Sequence, residues 1–142
     1  MSYLLDTCVI SELVSARPAP AVLEWMDSVE TMRLFLSVLT IGEIKRGIVR
    51  LPESKRRSVL ENWLEQDLLL RFHGRILLLD VPIIVTWGQL VGELEGKGRP
   101  LPAIDSLIAA TALHYQLQLV TRNEKDFANT GVSILNPWQE RS

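Results

Sequence analysis

The sequence predicts an α/β fold: a small parallel sheet with helices on both faces. Three observations carry that expectation. Short apolar runs of strand length alternate with longer segments of helical periodicity along the whole chain. The 142 residues contain no internal repeat, low-complexity tract or interdomain linker, so they read as one domain over 1–142. Acidic and amide residues recur where apolar runs end and helices begin, positions that face one crevice in an open parallel sheet.

The elements follow in order. Residues 3–6 form a short apolar run and are expected to be a buried strand. Pro18 and Pro20 suit the first turn of a helix in which Val22, Trp25, Met26 and Val29 recur at helical spacing. LFLSV, 34–38, is the second strand. Thr40 is placed to cap the next helix, with Glu43 three residues on completing a capping-box pattern. That helix would bury Ile41, Ile44 and Ile48 and end near Leu51 and Pro52. A longer helix from Ser54 would turn Val59, Leu60, Trp63, Leu64 and Leu68 inward.

RILLL, 75–79, is the third strand, entered through His73 and Gly74. A helix over 82–95 presents Ile83, Trp87, Leu90, Val91 and Leu94, and GKGRPLP is the clearest loop. From Ala103 a small-residue helix carries Ile104, Leu107, Ile108, Ala112 and Tyr115 as its sheet-facing stripe. Residues 118–121 and 132–135 complete the sheet, the latter as a short edge.

Bulk properties narrow the function classes. Apolar residues make up 47% and charged residues 23%, enough to bury a core and too balanced for disorder. A formal charge of −2 supplies no global basic field, although a local basic patch remains open. No apolar stretch approaches the ~20 residues of a membrane span, so no membrane association is expected. The start of the chain lacks a basic, then apolar, leader pattern. Cys8 is the single cysteine, which excludes an intrachain disulfide and suits a reducing, cytoplasmic location.

Asp6, Glu43, Asp105, Asn123 and Asp126 are the residues that this topology would gather. Carboxylates so gathered repel one another unless a cation neutralises them. Hard oxygen ligands without histidine or thiolate partners favour Mg²⁺ or Mn²⁺ over zinc. Phosphodiester hydrolysis by an activated water is the chemistry that best suits such a site. Each residue also has a purely structural use. Asp6 could be a turn or cap residue. Asp105 could simply complement a helix dipole. Glu43 could be only the partner of Thr40, and Asn123 and Asp126 could belong to a turn or a solvated surface. Their joint placement at strand ends and helix starts is what favours a site.

Neighbouring residues extend it. Thr7 could offer a hydroxyl to water or phosphate, or serve as a turn residue. Lys45, Arg46 and Arg50 share the helix of Glu43 and could contact phosphates of a nucleic acid, although such runs are usually solvated faces. Cys8 is expected to be buried, and His114 packed or at the surface.

The segments LLDTCVISEL, LSVLTIGEIKRGI, PAIDSLIAATAL and LVTRNEKDF, followed by NPW, carry a resemblance over residues 4–138. In that order and spacing the chain resembles the PIN-domain ribonucleases, and within them the VapC/FitB-like toxins of toxin–antitoxin pairs. The resemblance implies a three-layer α/β/α sandwich and a metal-dependent endoribonuclease using Mg²⁺ or Mn²⁺. By motif position it places Asp6, Glu43 and Asp105 in the acidic metal site, with Asn123 or Asp126 in the fourth role. It implies a cognate antitoxin, an RNA substrate, operator DNA met only through the antitoxin, and a homodimer. Asn123 departs from relatives with Asp there, and an Asn contributes a carbonyl oxygen but no charge. A non-catalytic PIN-like module that binds RNA or a partner protein is the alternative. A phosphoacceptor use of Asp6 is a third reading, weakened because the second Asp of a DxD phosphatase is replaced by Cys8.

Overall fold

The structure is a computed structural model and describes residues 1–139. The apolar runs become β1 (Tyr3–Leu5), β2 (Leu34–Ser37), β3 (Ile76–Leu77), β4 (Gln118–Val120) and β5 (Ile134–Leu135). All pair in parallel, in the order β3-β2-β1-β4-β5. The helices are α1 (Thr7–Leu13), α2 (Pro20–Ser28), α3 (Val38–Val49), α4 (Lys55–Asn62), α5 (Leu69–Arg71), α6 (Val81–Gly96), α7 (Ala103–Tyr115) and α8 (Glu124–Phe127). A π-helical stretch, Trp63–Leu68, joins α4 to α5.

Side-chain alternation along β1 generates the layers. Successive strand residues point to opposite faces, so Leu4 and Leu5, both fully buried, enter two different cores. Leu5 packs with Val9, Val22, Ile44, Ile48, Leu64 and Leu68, from α1, α2, α3 and the π turn. Leu4 packs with Leu90, Leu94, Ile108, Ala109, Ala112 and Phe127, from α6, α7 and α8. The outcome is the expected α/β/α sandwich.

Register explains where the site lies. Tyr3 pairs with both Leu34 and Gln118, which makes β1 the strand from which the order runs outward in two directions. The crevice at such a switch point, beyond the strand C-termini, is where α/β sheets bind ligands. The Asp6 N–H extends the ladder by donating to Val120 O at 2.9 Å, which holds the ends of β1 and β4 level.

Several elements differ from the sequence expectation. The chain turns straight from β1 into α1, with Asp6 as the N-cap; three apolar residues among polar neighbours left that helix without a clear period. Helix α3 is capped by Ser37, whose Oγ accepts from Leu39 N at 3.1 Å, and not by Thr40. Thr40 lies inside the first turn and is fully buried, so the capping box with Glu43 does not form. The π-helical turn keeps Leu60, Leu64 and Leu68 toward the core, but Val59 lies one position off that row and is 56% exposed. The α7 stripe is shifted: Ser106, Ala109, Ala110 and Thr111 are buried with Ile108 and Ala112, whereas Tyr115 is exposed in the last turn.

The third strand is only two residues long because its flanks are used otherwise. Arg75 N–H donates to Phe72 O at 2.8 Å, and Asp80 Oδ1 accepts from Ile83 N at 3.1 Å to cap α6. The Arg75 guanidinium is buried over the Phe72 ring at 5.0 Å and donates to the carbonyls of Thr31, Leu34 and Arg71. Those acceptors satisfy a charge that could not be buried alone.

Candidate functional site

Asp6 sits at the point where β1 ends and α1 begins, and it is 4% exposed. Three donors fix its carboxylate. Thr7 N donates to Oδ1 at 2.9 Å, Thr121 Oγ1 donates to Oδ2 at 2.8 Å, and Cys8 Sγ lies 3.9 Å from Oδ2. Burial raises the Asp6 pKa, the donated bonds lower it in part, and the charge of Glu43 raises it again. The net direction is upward.

Glu43 comes from the second turn of α3. Its Oε1 accepts from Thr7 Oγ1 at 2.5 Å, and the same hydroxyl stands 3.2 Å from Thr40 Oγ1. Thr7 therefore ties the start of α1 to α3, and Thr40 supports that contact where a cap had been expected. Asp105 lies in the first turn of α7, a favourable place for a carboxylate. Even so its pKa is pushed up to about 6, by burial first and then by the charges of Asp6, Asp126 and Glu43. The charges of Asp6, Asp126 and Glu43, each on a different element, thus all reach Asp105, with burial the larger cause of the shift.

Asn123 and Asp126 enter differently. Asn123 is exposed at the start of α8, and its side chain makes no capping bond. Its contribution runs through the backbone: Asn123 N donates to Thr121 Oγ1 at 3.0 Å. Asp126 is exposed too, but its charge reaches Asp105. Lys45, Arg46 and Arg50 are exposed on or beside α3. Arg46 and Arg50, three and seven residues beyond Glu43, share its face, while Lys45 is turned away.

Sequence reasoning missed two supporting residues. Fully buried Thr121 bridges Asp6 to the Asn123 backbone, and its only sequence signal was its place at the end of an apolar run. Glu12 joins α1 to both ends of the fold: Oε2 accepts from Ala19 N at 3.1 Å and Ser15 Oγ at 3.2 Å, and Oε1 accepts from Trp138 Nε1 at 3.2 Å. Burial pushes the Glu12 pKa up, but these bonds and the charge of Arg122 outweigh it and leave the group lowered. Arg122 in turn lies over the Trp138 ring at 5.3 Å. No such long-range pairing is visible in sequence spacing.

The donor set is all oxygen. Burial pushes the Cys8 thiol up, away from the thiolate that would bind a soft metal or attack as a nucleophile. Among the described residues no three Asp, Glu, His or Cys side chains stand in position to hold one ion by themselves. That arrangement suits a hard cation such as Mg²⁺, which takes one or two direct carboxylates and keeps several waters. Raised carboxyl pKa values point the same way: burial is their first cause and neighbouring charge the second, and a bound cation would offset both by stabilising the ionised form.

No helix among the described residues is long and apolar enough to cross a membrane. The family model described as PIN domain matches residues 3–132. The VapC ribonuclease Y4jK of Sinorhizobium fredii is 36% identical over 136 residues, covering 96% of this chain and 97% of that protein. Toxin FitB of Neisseria gonorrhoeae is 36% identical over 137 residues, covering 96% and 99%. The solved structure of FitAB bound to an IR36 DNA fragment contains a chain that superposes with a TM-score of 0.93 at 34% identity, over 99% of this chain and 98% of that one. A family model matched over most of the chain and relatives more than 30% identical over nearly their whole length show that this chain belongs to the PIN domain family.

Proposed function

We propose that the chain is a Mg²⁺- or Mn²⁺-dependent endoribonuclease, the toxin of a toxin–antitoxin pair, acting in the cytoplasm as one domain over 1–142. The observation that carries this reading is the Asp105 carboxyl, held at about 6 by burial and by Asp6, Asp126 and Glu43. Ionising a buried carboxyl beside other carboxylates is costly, and a cation offsets that cost. The names of its relatives, VapC ribonuclease and toxin FitB, support the reaction class.

Asp6, Glu43 and Asp105 would hold the ion, one or two of them directly and the rest through its waters, with Asn123 and Asp126 as candidates for the fourth position. When bound, the ion supplies Lewis-acid charge at a phosphoryl oxygen and makes water more acidic. Thr7 orients Glu43 and Thr121 orients Asp6, so both carboxylates are positioned before substrate arrives. A carboxylate of the cluster that is not itself bound to the ion, Asp126 being the exposed one whose charge reaches Asp105, is placed to take the proton that water gives up. The water oxygen bonds to phosphorus, the bond from phosphorus to the leaving oxygen breaks, and that oxygen takes up a proton. Lys45, Arg46 and Arg50 would contact RNA phosphates, with Arg46 and Arg50 best placed because they share the Glu43 face. The likeness to FitAB on DNA supports a cognate antitoxin through which this chain meets operator DNA, and the toxin itself is proposed to be a homodimer.

The test is cleavage of a small-RNA pool by the antitoxin-free chain with Mg²⁺, with Mn²⁺ and with chelator. Discrete products that require metal are expected, and Asp6→Asn, Glu43→Gln and Asp105→Asn should each lose at least about a hundredfold in rate while remaining folded. Absence of turnover in well-folded wild type with either metal would favour the non-catalytic binding module. Products that persist undiminished in Asp6→Asn would mean that the acidic cluster is not the active site.

A further inference from the structure

We propose that the cleft between the 96–102 loop and α8 is a phosphate subsite for the RNA strand, adjoining the acidic crevice; this rests on the ribonuclease reading. The cleft measures about 230 Å³ and is lined by Arg99, Leu101, Pro102, Lys125, Asp126 and Asn129, among others. Its position ties it to the chemistry. Pro102 leads directly into α7, three residues before Asp105, and Asp126 both lines the cleft and helps to raise the Asp105 pKa.

Its charge is unspent. Among the described residues the one ion pair is Arg57–Glu61, so neither Arg99 nor Lys125 lies within salt-bridge distance of a described carboxylate. Arg99 Nη1 donates to Asn129 Oδ1 at 2.6 Å, and the Arg99 backbone N–H donates to Leu94 O at 2.8 Å. A neutral acceptor thus holds the guanidinium at the cleft without neutralising it. A guanidinium has five N–H donors in a planar fork, so most remain free for phosphate oxygens. Arg99 and Lys125 outweigh Asp126 and leave the cleft with one net positive charge.

A phosphodiester is the ligand that this position requires. A crevice of carboxylates repels a polyanion, and free cations beside it offset that repulsion where the chain must lie. Arg46 and Arg50 rise along the Glu43 face of α3, whereas Arg99 and Lys125 stand on the Asp126 side. A single strand crossing the crevice would have cations at both ends of its path.

Antitoxin-free wild type, Arg99→Ala, Lys125→Ala, the double variant and Lys97→Ala are compared by fluorescence anisotropy on a labelled single-stranded RNA 12-mer in Ca²⁺, and by steady-state cleavage in Mn²⁺. Lys97 is exposed on the same loop but does not line the cleft. Each cleft variant should weaken RNA binding and raise KM about three- to tenfold, as expected for a partly screened charge-assisted contact. The salt slope should fall by about 0.7 per contact removed. kcat, Mn²⁺ affinity by calorimetry and Tm should stay near wild type, as should every property of Lys97→Ala. Unchanged RNA affinity and KM in the double variant, with wild type active, would overturn the subsite while leaving the ribonuclease reading intact. Parallel loss of Mn²⁺ binding or Tm would assign the pair a structural role and overturn it too. Lost antitoxin binding with intact RNA binding would give the cleft to the partner protein, against the proposal. Wild type that neither binds nor cleaves RNA would overturn both readings.

Discussion

Asp105 carries a measurable consequence of the site's crowding. Its folded pKa of about 6 lies above the ordinary 3.8, so between those values the folded chain holds a proton that the unfolded chain has released. Stability from this group is therefore fully present below about pH 4 and is lost as pH rises through 6. Asp6 shifts in the same direction, whereas the lowered Glu12 contributes stability that is lost on acidification. Metal-free Asp105→Asn should accordingly melt higher than wild type at pH 7.5, by about 1 kcal/mol once solvent screening is discounted, and the gain should vanish near pH 4. Thermal melts in chelator at the two pH values check it; a variant less stable than wild type at pH 7.5 would refute the repulsion. At this scale the residue types were legible and their partners were not. Asp6, Glu43 and Asp105 could be chosen from sequence because carboxylates at strand ends and helix starts are few. Thr121, 115 residues from Asp6, could not, since nothing local marks which hydroxyl will face which carboxylate.

The start of α3 shows how an element can be read correctly while its signals are misassigned. The helix and its buried Ile44 and Ile48 followed from 3.6-residue periodicity, yet both Ser37 and Thr40 are cap-type residues and only one can cap. Strand β2 ends at Ser37, which leaves that residue extended and able to cap, whereas Thr40 is held against Thr7. Ser37→Ala should cost about 1 kcal/mol and speed exchange of the Leu39 amide, which donates to the Ser37 hydroxyl. Thr40→Val should leave that amide protected, because the helix start does not depend on it. Hydrogen exchange distinguishes the two, and faster Leu39 exchange in Thr40→Val alone would restore the Thr40 cap. The α4 region repeats the lesson: Leu60, Leu64 and Leu68 form the inward row at four-residue spacing, and Val59, one position off that row, faces water.

Across the whole molecule, the site exists only when the sheet is assembled. Residues 6, 43, 105 and 126 come from four elements, and their charges couple at Asp105 once β1 pairs with β2 on one side and β4 on the other. The unfolded chain offers no comparable cation site, so a bound ion should stabilise the fold by mass action. Mn²⁺ at a hundred times its Kd should add about 2.7 kcal/mol, a rise of several degrees in Tm for a chain of this size. Asp6→Asn and Asp105→Asn should show little or none of that rise in a Mn²⁺ titration followed by scanning calorimetry. An equal rise in both variants would place the ion elsewhere.

What the sequence alone determined is whatever obeys a local period or a local chemical rule. That covers the alternation of strands and helices, the apolar faces of α2, α3 and α6, and the choice of Asp6, Glu43 and Asp105 as the carboxylates proposed for the site. Tertiary structure decided which strands are neighbours, that Thr121 locks Asp6 while Thr7 locks Glu43, and that Asn123 contributes its backbone while the charge of Asp126 reaches Asp105. It also set a basic cleft beside the crevice from two segments about 25 residues apart in the chain. The division has a physical reason: periodicity constrains a residue's face within its own element, whereas contact, burial and electrostatic coupling act through space, and distance along the chain carries almost no information about them.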